Sequence, residues 1–343
     1  MATLKEKKLH ALARFYNLNS LLGNNWATFY VIIGSRMTGK SYAVTDFLCR
    51  QKKQLGDQAK NYWMRISETS TKALLCNKAN KLVDPDLVRK YDLDLTTKGM
   101  DVYNKGEHFM TVCPLSQFGK LKGVGFYDKD FKGWTNIVLD EFQLEQGEKR
   151  TSFSILYNFI GMCENLVRTN KTHVRIFLIG NTLEEASSIL KAFNFLPEKV
   201  GRFYLRSKKC VIDNLPNTEA YVKDRKGSVA DILGGNDMSN YTNELKQSRE
   251  LIYKGRLQRP TEIIMFGKEK DKWFTVWDGN IIRRYNKENV KRKTAMRPYL
   301  DTIYVPELRT QVIERFDQRG YRFNNLVSQA FFVEQLTLIR KTV

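Results

Sequence analysis

The sequence predicts an α/β protein with a mainly parallel sheet, followed by a smaller α+β domain at the C-terminal end. Residues 29–33 form an apolar, β-favouring run that Gly34 ends, and a helical pattern begins after Lys40. Apolar runs and amphipathic patterns alternate over the first 200 residues, as expected for a sheet with helices on both faces. After about residue 250, short strand patterns come first and two helical patterns close the sequence.

The elements of the first 200 residues can be placed in chain order. The run at residues 29–33 is almost entirely apolar, which is typical of a strand buried on both faces of a parallel sheet. Apolar residues between 152 and 168 recur at intervals of three and four, which indicates an amphipathic helix. The other predicted strands are residues 61–66, 137–139 and 174–179.

Turn-forming residues become frequent after residue 200, in the segments LPNTEAY, DRKGS and LGGND. We therefore predict one domain at residues 1–200, a linker or small lid domain at 201–250, and a C-terminal domain at 251–343. Asp278-Gly279 is a strong turn signal between two strands of the last domain. Its predicted strands are residues 262–266, 273–277, 280–285 and 302–305, and its predicted helices are 307–317 and 324–340.

The composition indicates a globular protein with a polyanionic partner. Lys and Arg total 57 against 37 Asp and Glu, a net charge of +20, which favours nucleic acid or an anionic membrane surface. Charge alone does not choose between them, and a surplus of lysines that only keeps the surface soluble is the alternative. The five cysteines and three histidines lie in no spacing typical of a zinc site or a disulfide framework, which fits a reducing cytoplasm. We expect a soluble, unexported protein, because no signal peptide or membrane-spanning run is visible.

The loop after the first strand fits the pattern G-x-x-x-x-G-K-[ST], in which backbone N–H groups surround phosphate oxygens. Lys40 is expected to neutralise the β and γ phosphates of ATP, and Ser41 to ligate Mg²⁺. An ordinary glycine turn is the alternative. The residues predicted to bind the nucleotide here are Gly34, Ser35, Arg36, Met37, Thr38, Gly39, Lys40 and Ser41.

The segment NIVLDEF, residues 136–142, is an apolar run that ends in two acidic residues. Taken alone, it could equally be a surface strand end. About 100 residues after a phosphate-binding loop, it becomes the expected second half of an ATPase site. Asp140 is then predicted to hold Mg²⁺, and Glu141 to act as the general base that polarises the attacking water.

Three further residues are candidates for contact with the transferred phosphate. Arg168 ends the predicted amphipathic helix and Arg65 ends the second strand, so either could supply a cation, and either could instead be a solvated arginine. Asn181, just after the strand at 174–179, could sense the γ phosphate or could be a simple turn residue. A run of seven cations with a single Glu, residues 283–297, fits phosphate binding or a solvated basic face.

Several segments together resemble the genome-packaging ATPases of small tailed phages of the phi-29 type. In chain order they are FYN at 15–17, VIIGSRMTGKSYAV around the loop, PLS at 114–116, IVLDEF, and RGYRFNN at 319–325. The resemblance covers nearly the whole chain and is thin between about residues 185 and 270.

The resemblance implies an ATPase domain of the additional-strand, conserved-glutamate class, a small linker domain, and a C-terminal domain like RNase H that has lost nuclease function. It implies a homopentameric ring at the portal of a procapsid, bound through a structural packaging RNA, that moves double-stranded DNA inward. It also favours Arg168 as the arginine that acts on a neighbouring subunit, and leaves Arg65 to coupling or phosphate contact.

The sequence therefore predicts an ATP-driven, Mg²⁺-dependent DNA translocase of the packaging type, in the host cytoplasm and transiently docked on the procapsid. A ring helicase or other nucleic-acid-dependent NTPase is the alternative with the same chemistry. A nucleic-acid-binding scaffold that binds nucleotide without hydrolysing it is the alternative from another class, and Glu141 argues against it.

Overall fold

The computed structural model describes residues 15–121, 131–142, 154–167, 172–181, 187–197, 199–228, 232, 249–290, 293–300 and 306–340. Contacts divide the chain into two compact units. The N-terminal unit consists of Met1–Phe193 and Lys199–Leu245, and the C-terminal unit of Asn194–Glu198 and Lys246–Val343. No helix of the described residues is long and apolar enough to cross a membrane.

The N-terminal unit is built on a nine-stranded sheet. Its strands are β1 Phe29–Ile33, β2 Ala59–Arg65, β3 Leu95–Lys98, β4 Asp101–Asn104, β5 Glu107–Pro114, β6 Trp134–Asp140, β7 Val174–Gly180, β8 Gly201–Leu205 and β9 Cys210–Asn214. Its helices are α1 Asn19–Leu22, α2 Lys40–Leu55, α3 Glu68–Ala79, α4 Pro85–Tyr91, α5 Phe118–Leu121, α6 Ile155–Val167, α7 Ser188–Ala192 and α8 Glu219–Arg225.

The strand order of this sheet is β3-β4-β5-β2-β6-β7-β1-β9-β8. The six strands from β5 to β9 in this order pair in parallel, whereas β3, β4 and β8 add antiparallel pairs at the two edges. β7 lies between β1 and β6. The fold is therefore mixed α/β with a large, mostly parallel sheet, as the sequence predicted.

Apolar side chains fill the space between the central strands and α2. Tyr30 of β1 stacks on Phe177 of β7 with a ring-centroid separation of 5.4 Å, and Phe47 of α2 packs against the same ring at 5.7 Å. All three side chains belong to one buried cluster. The burial of these aromatic rings holds α2 against the sheet. It therefore also fixes the two ends of the loop between β1 and α2.

The C-terminal unit contains a five-stranded sheet in the order β13-β10-β11-β12-β14. Its strands are β10 Pro260–Met265, β11 Trp273–Trp277, β12 Ile281–Arg284, β13 Ala295–Tyr299 and β14 Arg322–Phe323, and its helices are α9 Pro306–Asp317 and α10 Leu326–Arg340. β10, β11 and β12 form an antiparallel meander, and both edge strands pair in parallel. Phe332 of α10 packs its ring against Phe266, Phe274 and Phe323.

Most predicted elements are confirmed within a few residues. The strands β3, β4, β5 and β13 and the helices α3 and α4 were not predicted, and a further difference lies around residue 200. The predicted strand at 302–305 lies outside the described residues. β8 and β9 continue the large sheet beyond the predicted boundary at residue 200, because every residue of β9 is buried and β9 pairs in parallel with β1. The turn-rich segments that suggested a linker begin only after β9. The division into three domains stays a prediction. Contacts within the structure divide the chain into two units.

Candidate active site

The candidate site lies at the carboxyl edge of the central parallel strands. Ile33 of β1 is level with Gly180 of β7, and Ile179 is level with Asp140 of β6. The residues that follow these positions therefore meet at one edge of the sheet, where open parallel sheets bind their ligands. The glycine loop, both predicted acids and Asn181 are brought together in this way.

Two glycines allow the loop between β1 and α2 to take its shape. Gly39 has a φ of +84°, a conformation that side chains with a Cβ adopt only with strain. A Cβ on Gly34 would lie 2.9 Å from Cβ of Leu215, so only glycine fits there without movement. The loop is also tied internally, because Thr38 Oγ1 donates to Ser35 O at 2.9 Å, and Tyr16 N donates to Thr38 O at 2.8 Å.

Lys40 is buried in the centre of this loop. Its ammonium donates to the carbonyl oxygens of Gly34 at 2.9 Å and Ser35 at 2.7 Å, and to Thr38 Oγ1 at 3.3 Å. Burial lowers the pKa of Lys40 to about 8, and the nearby carboxylate of Asp140 opposes that shift. A cation held this way is poised to exchange backbone carbonyls for the oxygens of an anion.

Asp140 and Ser41 form the second part of the site. Ser41 Oγ donates to Asp140 Oδ1 at 3.2 Å, across the gap between α2 and β6. Asp140 is only 4% exposed, and burial raises the pKa of its carboxyl group, while Arg65 acts in the opposite direction. A hydroxyl and a carboxylate at this separation are the oxygen ligands that Mg²⁺ prefers.

Arg65 joins the two acids that end β6. Its Nη2 lies 2.8 Å from Asp140 Oδ2, and its Nη1 contacts Glu141 Oε2. The Arg65 side chain is 15% exposed and that of Glu141 is 48% exposed, and of the two only Glu141 lines the cavity at this edge of the sheet. Glu141 itself has a φ of +57°, an uncommon backbone conformation for a residue other than glycine.

A cavity of about 700 Å³ in total, open to solvent, lies at this edge of the sheet. Every described residue of the predicted loop from Arg36 to Ser41 lines it, together with Asp140, Glu141 and Asn181. Arg168 lies outside the described residues, so its predicted role stays a prediction. Tyr42, Ile179 and Gly180 also line the cavity and were not predicted as site residues. A Cβ on Gly180 would lie 2.5 Å from the Phe142 ring, which is a packing reason that the local pattern does not reveal.

Ser35 links the loop to the segment after β9. It is fully buried, and its Oγ donates to Asn217 Oδ1 at 2.6 Å. The sequence predicted Ser35 as a nucleotide ligand but gave no signal for Asn217, because the two are far apart in the chain. Ser35 therefore has a structural partner within the N-terminal unit that holds the start of the loop.

The cations of the predicted basic run at residues 283–297 have different surroundings in the C-terminal unit. Arg297 of β13 forms an ion pair with Glu262 of β10 at 2.6 Å. Arg283 and Arg284 line a second cavity in this unit. Lys291 and Arg292 lie outside the described residues. The run is therefore not one uniform basic face.

Comparisons with known proteins agree with this architecture. The sequence model of a family described as podovirus DNA encapsidation protein (Gp16) matches residues 11–306. The structure of the bacteriophage phi-29 viral genome packaging motor assembly is similar, with a TM-score of 0.64 at 18% identity over 96% of this chain and 100% of that chain. The phi-28 gp11 DNA packaging motor is similar with a TM-score of 0.58 at 14% identity, over 96% and 98% of the two chains. At these identities the likeness shows the fold. The comparison with curated proteins gives no match.

Proposed function

The chain belongs to the podovirus family of DNA encapsidation proteins (Gp16), and on this premise we propose that it is an ATPase that drives double-stranded viral DNA into a procapsid. The observation that carries the proposal is the meeting of Lys40, Ser41 and Asp140 at one edge of a parallel sheet. The additional strand of the proposed ATPase class corresponds to β7, which separates β1 from β6.

The residues at this edge fit a nucleoside triphosphate and a magnesium ion. The glycine loop leads into α2, a 16-residue helix whose N-terminus is a favourable place for phosphate oxygens. Lys40 brings a buried positive charge to the same point. Ser41 and Asp140 are the residues that would hold Mg²⁺, which would neutralise negative charge on the phosphate oxygens.

We assign the following roles to the residues of the chain. The loop N–H groups and Lys40 bind the phosphates, and the Lys40 ammonium leaves its own carbonyl partners to do so. Glu141 accepts a proton from the attacking water as general base. Since Arg65 contacts Glu141, that contact must loosen before the carboxylate can act. We assign contact with the γ phosphate to Asn181, which follows β7 and lines the cavity.

Beyond a single subunit, the proposal includes a homopentameric ring docked at the portal, with a structural packaging RNA as a further partner. In this ring Arg168 of one subunit acts on the nucleotide of its neighbour. The C-terminal unit is proposed to be RNase H-like without nuclease activity. The ion pair between Glu262 and Arg297 on adjacent strands supports this, because it neutralises a carboxylate that could otherwise serve a metal.

Steady-state phosphate release in the presence of Mg²⁺ tests the ATPase. Lys40→Ala should abolish turnover, whereas Lys53→Ala, at an exposed position of the same helix, should retain it. Turnover that survives Lys40→Ala would overturn the proposal, and binding without turnover in the unaltered protein would favour a scaffold. Protection of DNA from nuclease that depends on procapsids and ATP would separate a packaging motor from a helicase.

A further inference from the structure

The segment that follows β9 is held against the start of the glycine loop. Leu215 N donates to Ile33 O at 2.8 Å, at the point where β9 and β1 end side by side. A Cβ on Gly34 would lie 2.9 Å from Cβ of Leu215, so the two residues are in close contact. Ser35 Oγ donates to Asn217 Oδ1 at 2.6 Å. The chain that leads into α8 therefore has a fixed position relative to the loop.

Arg225, the last residue of α8, reaches the same loop. Its Nη1 lies 3.1 Å from Met37 Sδ. The helix is anchored at its other end, where Thr218 Oγ1 accepts from Tyr221 N at 3.1 Å and Tyr221 is buried. All of these residues belong to the N-terminal unit. The backbone of α8 is thus held in place, while the long side chain of Arg225 retains rotatable bonds that allow it to change partner.

Met37 places this contact at the cavity of the candidate active site. It lines the cavity and is 60% exposed. Its φ of +63° is uncommon for a residue other than glycine, and such conformations cluster at functional sites. Met37 precedes Lys40 by three residues, within the loop whose N–H groups are proposed to bind the phosphates. The Arg225 guanidinium therefore lies beside the space proposed for the phosphate chain.

A thioether sulfur is a poor partner for a guanidinium group. Sulfur accepts hydrogen bonds weakly, whereas a phosphate oxygen is charged and matches the planar fork of arginine. Exchange of the Met37 sulfur for a phosphate oxygen would therefore strengthen the interaction of Arg225. Arg65 is less suited to this exchange, because its Nη2 and Nη1 contact Asp140 and Glu141. Arg225 is thus better placed than Arg65 for a contact made only when the nucleotide is bound.

We propose that Arg225 binds a phosphate oxygen of the nucleotide held in its own subunit, and that its side chain leaves Met37 when the nucleotide enters. α8 then has one set of contacts when the site is empty and another when it is occupied. Such a difference is what a structural response to a ligand requires. The nucleotide as ligand rests on the proposed function, whereas the assignment of Arg225, and of α8 as the element that responds, goes beyond it.

Equilibrium binding of a non-hydrolysable ATP analogue and of ADP to the full-length protein, in the presence of Mg²⁺, tests this contact. Arg225→Gln should weaken binding of the ATP analogue about tenfold, the loss expected for one hydrogen bond between charged groups. Arg225→Lys should bind with intermediate affinity, because lysine keeps the charge but lacks the planar fork. The matched control is Lys223→Gln, at an exposed position of α8 about 200° away around the helix axis. The control should change affinity by less than about twofold, because solvent and salt screen an exposed charge.

Hydrogen exchange at α8 gives a second readout. The saturating ATP analogue should slow exchange of the backbone amides of residues 219–225 in the unaltered protein, because the bound nucleotide restrains Arg225. In Arg225→Gln this slowing should be lost, even when the analogue concentration is raised until the site is full. A purely structural role of Arg225 would instead change exchange at α8 equally with and without the analogue.

Several results would overturn the proposal. They are parental affinity for both nucleotides in Arg225→Gln, an equal loss in Lys223→Gln, and a loss for the ATP analogue that is absent for the matching GTP analogue, which would assign Arg225 to the base. An equal loss for the ATP analogue and ADP supports a contact with the α or β phosphate, and a loss for the ATP analogue alone supports one with the γ phosphate. If Arg225→Gln does not fold, parental affinity and exchange in Arg225→Lys would overturn the proposal equally.

Failure of this contact and failure of the proposed function are distinguishable. If the unaltered protein binds no nucleotide, the proposed function fails. If the unaltered protein binds and hydrolyses ATP, and Arg225→Gln changes neither affinity nor exchange at α8, only the assignment of Arg225 fails.

Discussion

Arg65 holds both acids of the candidate active site at once, with Nη2 2.8 Å from Asp140 Oδ2 and Nη1 in contact with Glu141 Oε2. The planar guanidinium suits this geometry, because its fork can meet two carboxylates at the same time. Asp140 is buried and Glu141 is half exposed, so Arg65 stabilises one charge that water cannot reach and restrains another that it can. The residue that ends β2 is therefore coupled to both acids proposed for catalysis.

Replacing Arg65 should reduce ATP hydrolysis strongly. Arg65→Ala leaves two neighbouring carboxylates without their shared cation, and we expect kcat to fall by about tenfold or more. Arg65→Lys should recover part of the loss, because an ammonium can neutralise one carboxylate but cannot bridge both. Phosphate release at saturating ATP gives kcat, and thermal unfolding shows whether Arg65→Ala still folds. A folded Arg65→Ala protein with the kcat of the parent would refute the coupling.

Glu141→Gln should separate nucleotide binding from hydrolysis. The amide keeps the size of the side chain but cannot accept a proton, so turnover should fall by about 10² to 10⁴, the range for loss of a general base. Nucleotide binding should persist, because Lys40 and the loop are unaltered. Glu107→Gln, at an exposed position of β5, is the matched control. Substantial turnover in Glu141→Gln would transfer the role of base to another residue.

Local sequence patterns predicted the glycine loop and the two acids of the site. They did not predict the position of Arg65, which depends on pairing between strands that are distant in the sequence. The loop at Lys40 and the acids at 140 and 141 each follow a strand pattern that can be read from neighbouring residues. The position of Arg65 beside those acids depends on β2 pairing with β6, which brings Trp63 level with Val138. No local pattern contains that pairing, so the residues alone do not distinguish Arg65 from Arg168 as the cation that contacts the transferred phosphate.

The same reason explains the boundary near residue 200. β9 has the apolar character of a strand, but its place beside β1 is fixed only when the whole sheet has formed. The turn-forming residues after β9 are neighbours in the sequence and so form a visible pattern. The residues of β1 that pair with β9 lie far from it in the sequence. Composition therefore predicted a linker in a region that includes two strands of the large sheet.

Gly39→Ala should weaken both folding and nucleotide binding. Gly39 has a φ of +84°, and a Cβ there would lie 3.2 Å from Cβ of Phe15, so alanine adds backbone strain and a close contact. We expect a loss of about 1–2 kcal/mol in the free energy of unfolding. Gly119→Ala is the control, because a Cβ at that position would have nothing within 4 Å and the φ of Gly119 is negative. Equal stability of the two variants in denaturant unfolding would contradict the expected strain.

Mixing two inactive variants should show whether the site is shared between subunits. If Arg168 of one subunit serves the nucleotide of its neighbour, Arg168→Ala and Glu141→Gln subunits each lack a different part. Assembled together, some interfaces then combine an intact Glu141 with an intact Arg168, so phosphate release should exceed that of either variant alone. If mixed assemblies show no rescue, Arg168 does not act on the nucleotide of a neighbouring subunit.

Asp213 anchors the segment before the loop, and its removal should destabilise the N-terminal unit. Asp213 is 5% exposed, and its carboxylate accepts from Tyr16 OH at 2.8 Å and from Arg202 Nε at 2.6 Å. Asp213→Ala leaves the Arg202 guanidinium with only the neutral oxygens of Ser20 as acceptors and without its carboxylate partner, and we expect a loss of about 3 kcal/mol in the free energy of unfolding.

Tyr16→Phe is the matched comparison, because it removes one hydrogen bond and leaves the ion pair intact. It should cost about 1.5 kcal/mol, since one hydrogen bond to the carboxylate is lost and the ion pair with Arg202 remains. Both variants are compared by denaturant unfolding, and the midpoint should fall much further for Asp213→Ala. Because Tyr16 N also donates to Thr38 O, loosening this segment should lower nucleotide affinity as well. An Asp213→Ala protein as stable as Tyr16→Phe would show that Arg202 finds another partner.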